Sequence, residues 1–144
     1  RLIGGKTDIV MMLNGALAGL VAITAEPLTP GPITAMFIGS IGAVIMYFGT
    51  KMLESYGLDD VVGAIPVHMF AGIFGTLVVP LTNPETSFGT QFIGTASVCI
   101  FSFGLSWATF TILKSTIGLR ISKAAEKLGT DKAEVGVTAY SIRD

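Results

Sequence analysis

Hydrophobic and polar positions segregate along this chain on a coarse scale, with long apolar runs set apart by short charged ones. No Asp, Glu, Lys or Arg falls within Ile9–Ala25, Pro27–Thr50, Val61–Pro84 or Thr86–Leu113, runs of 17, 24, 24 and 28 residues. A helix that crosses a membrane needs roughly 17–25 such residues. The pattern therefore predicts an all-α membrane protein with four spans, at about 9–25, 33–56, 61–79 and 92–114. Residues 1–114 form the membrane part and 115–144 a polar tail. The first span is marginal in length, and its neighbours are expected to supply the missing apolar contact.

Within the spans, small residues recur at helical spacing. Gly15, Ala18, Gly19 and Ala22 make one stripe, and Gly39, Gly42 and Ala43 make another. Such stripes let helix backbones approach closely in lipid. Pro27, Pro30 and Pro32 break the chain after the first span, and Pro80 and Pro84 after the third. Gly57 suits a helix C-cap. Asp59 and Asp60 precede the third span, where acidic groups complement the positive helix N-terminus. The fourth span carries Trp107 and several Phe, read as lipid-facing or packing residues. In the tail, Ser122–Leu128 predicts a short helix stopped by Gly129. Asp131 with Glu134 resembles a capping box that starts another turn.

Composition agrees with a membrane origin. Apolar residues make up 51% and charged residues 13%, against about 25% charged in a soluble domain. A soluble chain of this size has too little interior to hide that much apolar matter. A soluble enzyme, a disordered linker and a disulfide scaffold are excluded on this ground. The net charge of −1 excludes a broad nucleic-acid-binding face. One cysteine, Cys99, and one histidine leave no metal-ligand spacing, so neither metal nor cofactor is expected. The chain opens on Arg1, not Met, and is expected to be a piece of a longer protein.

Charge also orients the spans. Four crossings place Arg1–Asp8, Lys51–Asp60 and the tail from Lys114 on one side. Every Lys and Arg lies there: Arg1, Lys6, Lys51, Lys114, Arg120, Lys123, Lys127, Lys132 and Arg143. The positive-inside rule makes that side cytoplasmic, with the C-terminus cytoplasmic too.

His68 is the one ionisable side chain in the middle of any predicted span. Eight helical residues past Asp60 correspond to about 12 Å of rise, near the midplane of a core about 30 Å thick. A polar group at that depth is a candidate functional site. Burial disfavours imidazolium, and neutral imidazole offers one donor and one acceptor. It can hydrogen-bond a small N–H donor or pass a proton without holding a permanent charge. Pro66 removes a backbone donor nearby and frees the Val62 carbonyl, which needs another partner. Pro66 and His68 together suggest a pore wall; the other reading is a core histidine bonded to a neighbouring helix. Asn14 and Thr24 either line the same path or bond across helices.

These residues resemble the ammonium transporter family (Amt/Mep/Rh). Asn14-Gly-Ala-Leu-Ala-Gly-Leu-Val-Ala-Ile-Thr24 is similar to the family's eighth span. Asp59-Asp-Val-Val-Gly-Ala-Ile-Pro-Val-His68, with Gly72-Ile-Phe-Gly75, is similar to the tenth. Gly118-Leu-Arg120, Gly129-Thr-Asp131, Gly136, Ala139 and Tyr140 resemble the tail signature. The resemblance implies spans eight to eleven of an eleven-helix bundle, plus the cytoplasmic tail. It implies a homotrimer with one pore per subunit, in which two histidines meet. His68 matches the second, and the first lies in the absent N-terminal part, as do the aromatic gate and the outer recruiting site. The activity implied is ammonium transport by deprotonation, followed by passage of ammonia through a narrow apolar pore. Potassium, with no proton to give, is excluded.

The resemblance also implies a PII-type signal protein as partner at the tail, with Lys6, Asp59, Gly129, Asp131, Gly136 and Tyr140 as regulatory positions. Departures are visible. Met69 follows the histidine where the family often has Gly, and narrows the space beside the ring. Thr130, Val135 and Val137 stand where Leu, His and Glu are common. Glu26 stands where small residues are usual and adds negative charge to the outer mouth. An ammonium sensor signalling through its tail, and a structural membrane subunit, are the other functions compatible with the sequence.

Overall fold

The computed structural model describes residues 7–139. Among them every regular element is helical: α1 (Ile9–Ile23), α2 (Pro32–Ser55), α3 (Ile65–Leu81), α4 (Phe88–Thr116) and α5 (Lys123–Leu128), then a π-helical turn at Asp131–Val135. The chain forms two compact units, Arg1–Val98 and Cys99–Asp144.

In the first unit, α1, α2 and α3 pack pairwise. Asp8 caps α1, its carboxylate accepting the Met11 N–H at 3.0 Å. Pro32 opens α2 at a position where its missing N–H costs nothing. Gly57, at φ +68°, ends α2 in the left-handed conformation the sequence anticipates. Ala18, Met46, Val67 and Ala71 form the centre of the packing.

The small-residue stripes set how closely these helices meet. A Cβ on Gly42 would lie 2.6 Å from the Ala22 Cβ, and one on Gly19 would lie 3.1 Å from the Gly39 carbonyl oxygen. Gly75 sits against the Ala22 backbone, and Gly49 against Phe70 and Pro66. At Gly19, Gly42 and Gly75 close backbone approach requires glycine, and at Gly49 the side chains of Phe70 and Pro66 do.

Two helices, α2 with 24 residues and α4 with 29, have the length and apolarity to cross a membrane. α1 and α3 are apolar but shorter. The 15 residues of α1 rise about 22 Å, less than a hydrocarbon core of about 30 Å. The third apolar segment also starts later than its sequence predicts. Val61 and Val62 form an exposed turn and Gly63 stands at φ +72°. No residue of α4 is buried, and apolar side chains cover it all round.

In the second unit, α5 appears where expected. Ser122 caps it by accepting the Ala125 N–H at 3.2 Å, and Gly129 ends it at φ +98°. The capping box expected at Asp131 and Glu134 does not form. Thr130 occupies the cap position without a side-chain hydrogen bond. Asp131 instead turns forward, accepting the Ala139 N–H at 2.9 Å. That bond holds its carboxyl below the usual carboxylate range. Gly136, at φ +75°, closes the turn.

Candidate functional site

The site begins with the way α3 starts. The first N–H groups of a helix have no intrahelical acceptor, and here nearly all are accounted for by one residue. Asp60 takes Gly63 N–H on its backbone oxygen (3.1 Å), and Ala64 N–H (2.9 Å) and Ile65 N–H (2.8 Å) on its two carboxylate oxygens. Pro66 has no N–H to place. The carbonyl it would have engaged, Val62, is taken by the Asn14 amide at 2.9 Å. Asp60 and Asn14 thus anchor the entry of α3, with Gly63 pressed against the Asn14 side chain. Replacing Asn14 with Leu leaves that carbonyl unpaired and is expected to destabilise the fold by about 1–3 kcal/mol. Thermal unfolding of the variant checks it.

From this anchor the chain runs as a π-helical turn over Ile65–Phe70. Pi-helical turns inside helices are frequent at functional sites. Here the turn begins beside the proline that interrupts the hydrogen-bond ladder. Pro66 and Val67 are buried, Pro66 against Gly49 of α2 and Val67 in the core cluster. His68 and Met69 are exposed, Met69 by 49%. Ala71, four residues after Val67, is fully buried again.

One face of α3 therefore grips α1 and α2, and the face bearing His68 and Met69 points away from them. Among the described residues no side chain hydrogen-bonds the ring of His68. The reading of His68 as a core histidine bonded to one of these helices does not hold in this unit. Pro66 does not share the exposed face: it is buried, with Gly49 of α2 beside it. The depth inferred from eight helical residues after Asp60 also needs correction. Val61–Gly63 are a turn, so only the last few residues before His68 add helical rise.

The other predicted residues lie elsewhere. Thr24 closes α1, donating its hydroxyl to the Val21 carbonyl at 2.7 Å. It lies ten residues from Asn14, about 15 Å along the helix. Asp59 is exposed beside Asp60, which does the capping. Gly129, Asp131 and Gly136 gather in the tail turn. Lys6 and Tyr140 lie outside the described residues.

One contact has no single-residue signal in the sequence. Asn83, after α3, donates its amide to Glu26, after α1, at 2.9 Å across 57 positions. Leu28 N–H reaches the other Glu26 oxygen at 3.3 Å, and Asn83 accepts from Glu85 N–H at 3.0 Å. The Asn83 bond first, and the Leu28 backbone bond with it, hold the Glu26 carboxyl below the ordinary glutamate range. A depressed folded pKa contributes stability that is present above the unfolded value and lost as pH falls through the folded one. The tie is expected to hold at neutral and mildly acidic pH and to open only below the usual carboxylate range. Amide exchange at Leu28, followed against pH, checks this.

Comparison with known proteins adds a family to this geometry. The sequence model described as Ammonium Transporter Family matches residues 1–140. The chain is 39% identical to ammonium transporter Amt2 of Archaeoglobus fulgidus, over 94% of this chain and 33% of the relative. It is 34% identical to ammonium transporter Amt2 of Methanocaldococcus jannaschii, over 96% of this chain and 35% of the relative. With an ammonium transporter of Corynebacterium glutamicum the identity is 32%, over 99% of this chain and 35% of the relative. The chain spans about a third of the length of these curated relatives.

Proposed function

The chain belongs to the ammonium transporter family, and from that membership we propose that the full-length protein moves ammonium across a membrane, with His68 in its conduction path. The observation that carries this is the two-faced turn at His68. Val67 and Ala71 lock into the three-helix packing, and the imidazole is left on the face that α1 and α2 do not cover. The remaining two thirds of the protein supplies the opposite wall and the first histidine of the pair.

In this reading all four apolar segments cross the membrane. α1 and α3, short by themselves, are sheltered by each other and by α2. The tie between Glu26 and Asn83 joins the two outer connections, and the concentration of Lys and Arg at the other end makes it cytoplasmic. Ammonium is a hydrated cation whose intact transfer through a dry path is costly. Transfer of a proton from ammonium to water at the outer mouth leaves neutral ammonia and a hydrated proton on the outer side, and the His68 imidazole can hydrogen-bond the ammonia and hand it on. Met69 flanks the ring and narrows the conduit. Asn14 and Asp60 position the turn without touching what passes. A homotrimer, and a PII-type signal protein at the tail, are the partners this reading carries with it.

Uptake of labelled methylammonium by cells expressing the full-length protein tests the proposal. Uptake reduced by about tenfold or more in His68→Ala is the expected result, the loss of one or two hydrogen-bond equivalents. Absence of uptake with the native protein, joined to an ammonium-dependent response that needs the tail, identifies a sensor. Uptake unchanged in His68→Ala removes the ring from the path.

A further inference from the structure

The contact between Glu26 and Asn83 differs from the other polar contacts of the fold. Among the described residues, every other hydrogen-bonded pair of side chains lies within six positions along the chain. This one joins segments 57 positions apart, at 2.9 Å. Local folding cannot supply it, and the groups around it fix its chemistry atom by atom.

Asn83 is held by its own turn. Its N–H donates to the Val79 carbonyl at 2.9 Å, and its carbonyl accepts the Thr86 N–H at 3.2 Å and the Thr86 hydroxyl at 2.9 Å. Its side-chain oxygen is taken by the Glu85 N–H. The amide nitrogen, which can only donate, is what remains to face Glu26. Glu26 in turn meets two donors, the Asn83 amide on one oxygen and the Leu28 N–H on the other. A group that accepts at both oxygens is needed there, and a carboxylate is that group.

The tie also sits where it can act on α3. Ala22, four residues before Glu26, is where the backbone of α1 meets Gly75 of α3. Gly75 is seven residues beyond His68, about 10 Å along the helix. The tie therefore joins the ends of the same two helices just past their closest approach. Helices in lipid have little hydrophobic drive to stay together, so a polar tie at their ends limits how far those ends swing apart.

We propose that Glu26 and Asn83 form a clamp that stays closed while substrate passes, holding the outer ends of α1 and α3 as one body and so fixing how α3 presents His68. Both are positioning residues, acting through α3. The proposal rests on the transport reading above.

The test exchanges the partners in the full-length protein. Asn83→Asp sets two carboxylates against each other, and like charges that close do not both stay ionised without cost. Glu26→Gln alone leaves one of the two donors without an acceptor. Combined, Glu26→Gln/Asn83→Asp rebuilds the tie with donor and acceptor reversed. The new glutamine oxygen accepts the Leu28 N–H, its amide donates to the new aspartate, and the aspartate's other oxygen still accepts the Glu85 N–H.

Two readouts are taken in a background free of native cysteines. Spin labels at Leu28→Cys and Glu85→Cys, which join the tie through backbone N–H groups alone, report the separation of the two connections. Uptake of labelled methylammonium, per molecule of protein in the membrane, reports transport. The expected result with the native pair is one narrow separation, the same with and without ammonium. In Asn83→Asp the separation broadens and maximal uptake falls by about fivefold or more, with KM unchanged. Both readouts return in the double variant. Uptake per molecule that stays at the native level in Asn83→Asp overturns the proposal, because the tie then serves folding alone. So does a native separation that shifts with ammonium, or a double variant no better than Asn83→Asp. Absence of uptake with the native pair sinks the transport reading instead, and the separations still decide whether the clamp is closed.

Discussion

Replacing His68 with Asp in the full-length protein is expected to lower its discrimination against potassium by at least tenfold. On the reading proposed above, the native ring offers the path no compensation for a permanent charge, so a bare cation meets the full cost of losing water. A carboxylate changes the sign of that argument. At 4 Å and an effective dielectric of 20, a carboxylate–cation pair gains on the order of 4 kcal/mol, enough to hold potassium where imidazole could not. His68→Ala differs from His68→Asp, since it removes the hydrogen-bonding group without adding charge. Alanine is therefore expected to slow ammonium transport and leave potassium excluded. The pair is checked by methylammonium uptake with and without excess potassium, and by potassium flux into vesicles. Full selectivity in the aspartate variant places the ring outside the conduit.

The second large effect is steric. A Cβ at Gly75 would come within 2.8 Å and 2.9 Å of the Ala22 carbonyl carbon and Cα, and closer still to the Ala22 carbonyl oxygen. Those atoms are helix backbone and cannot step aside as a side chain can. Overpacking a close-packed contact typically costs about 1–3 kcal/mol. In lipid there is little hydrophobic drive to hold parted helices together, so the contact itself is what is lost. Gly75→Leu is expected to lower the unfolding midpoint of the full-length protein in detergent by several degrees and to reduce its yield. Gly89→Ala is the control. A Cβ there has only the Ser87 hydroxyl at 4.0 Å, and alanine suits a helix better than glycine by about 0.5–1 kcal/mol. Equal behaviour of the two variants would mean that α1 and α3 do not meet at Gly75.

The sequence was informative where one segment decides its own fate. The stripe of Gly15, Ala18, Gly19 and Ala22 announced a close helix contact, because spacing along a helix is a local property. The same holds for Ser122 and Gly129 bracketing α5. Boundaries were less legible. Val61 and Val62 read as the start of an apolar helix, yet Gly63 in the left-handed conformation delays it, and Asp60 then caps the later start. At Asp131 the capping-box pattern lost to a bond with Ala139, eight residues away. A local signal was outcompeted by a tertiary one.

By itself the sequence determined that the chain is helical and apolar beyond what a soluble body can bury. It determined where the charges gather, that one imidazole lies among uncharged residues, and that Pro66 leaves the Val62 carbonyl in need of a donor. It also offered Asn14 as a side chain able to bond across helices. Only the tertiary structure joined those last two facts, and only it put Pro66 inside the packing and His68 outside it. The reason is physical. Composition and period follow from neighbours in the chain, but the direction a side chain faces is fixed by which helix its own helix grips, and the grip of α3 on α1 and α2 depends on residues some fifty positions away.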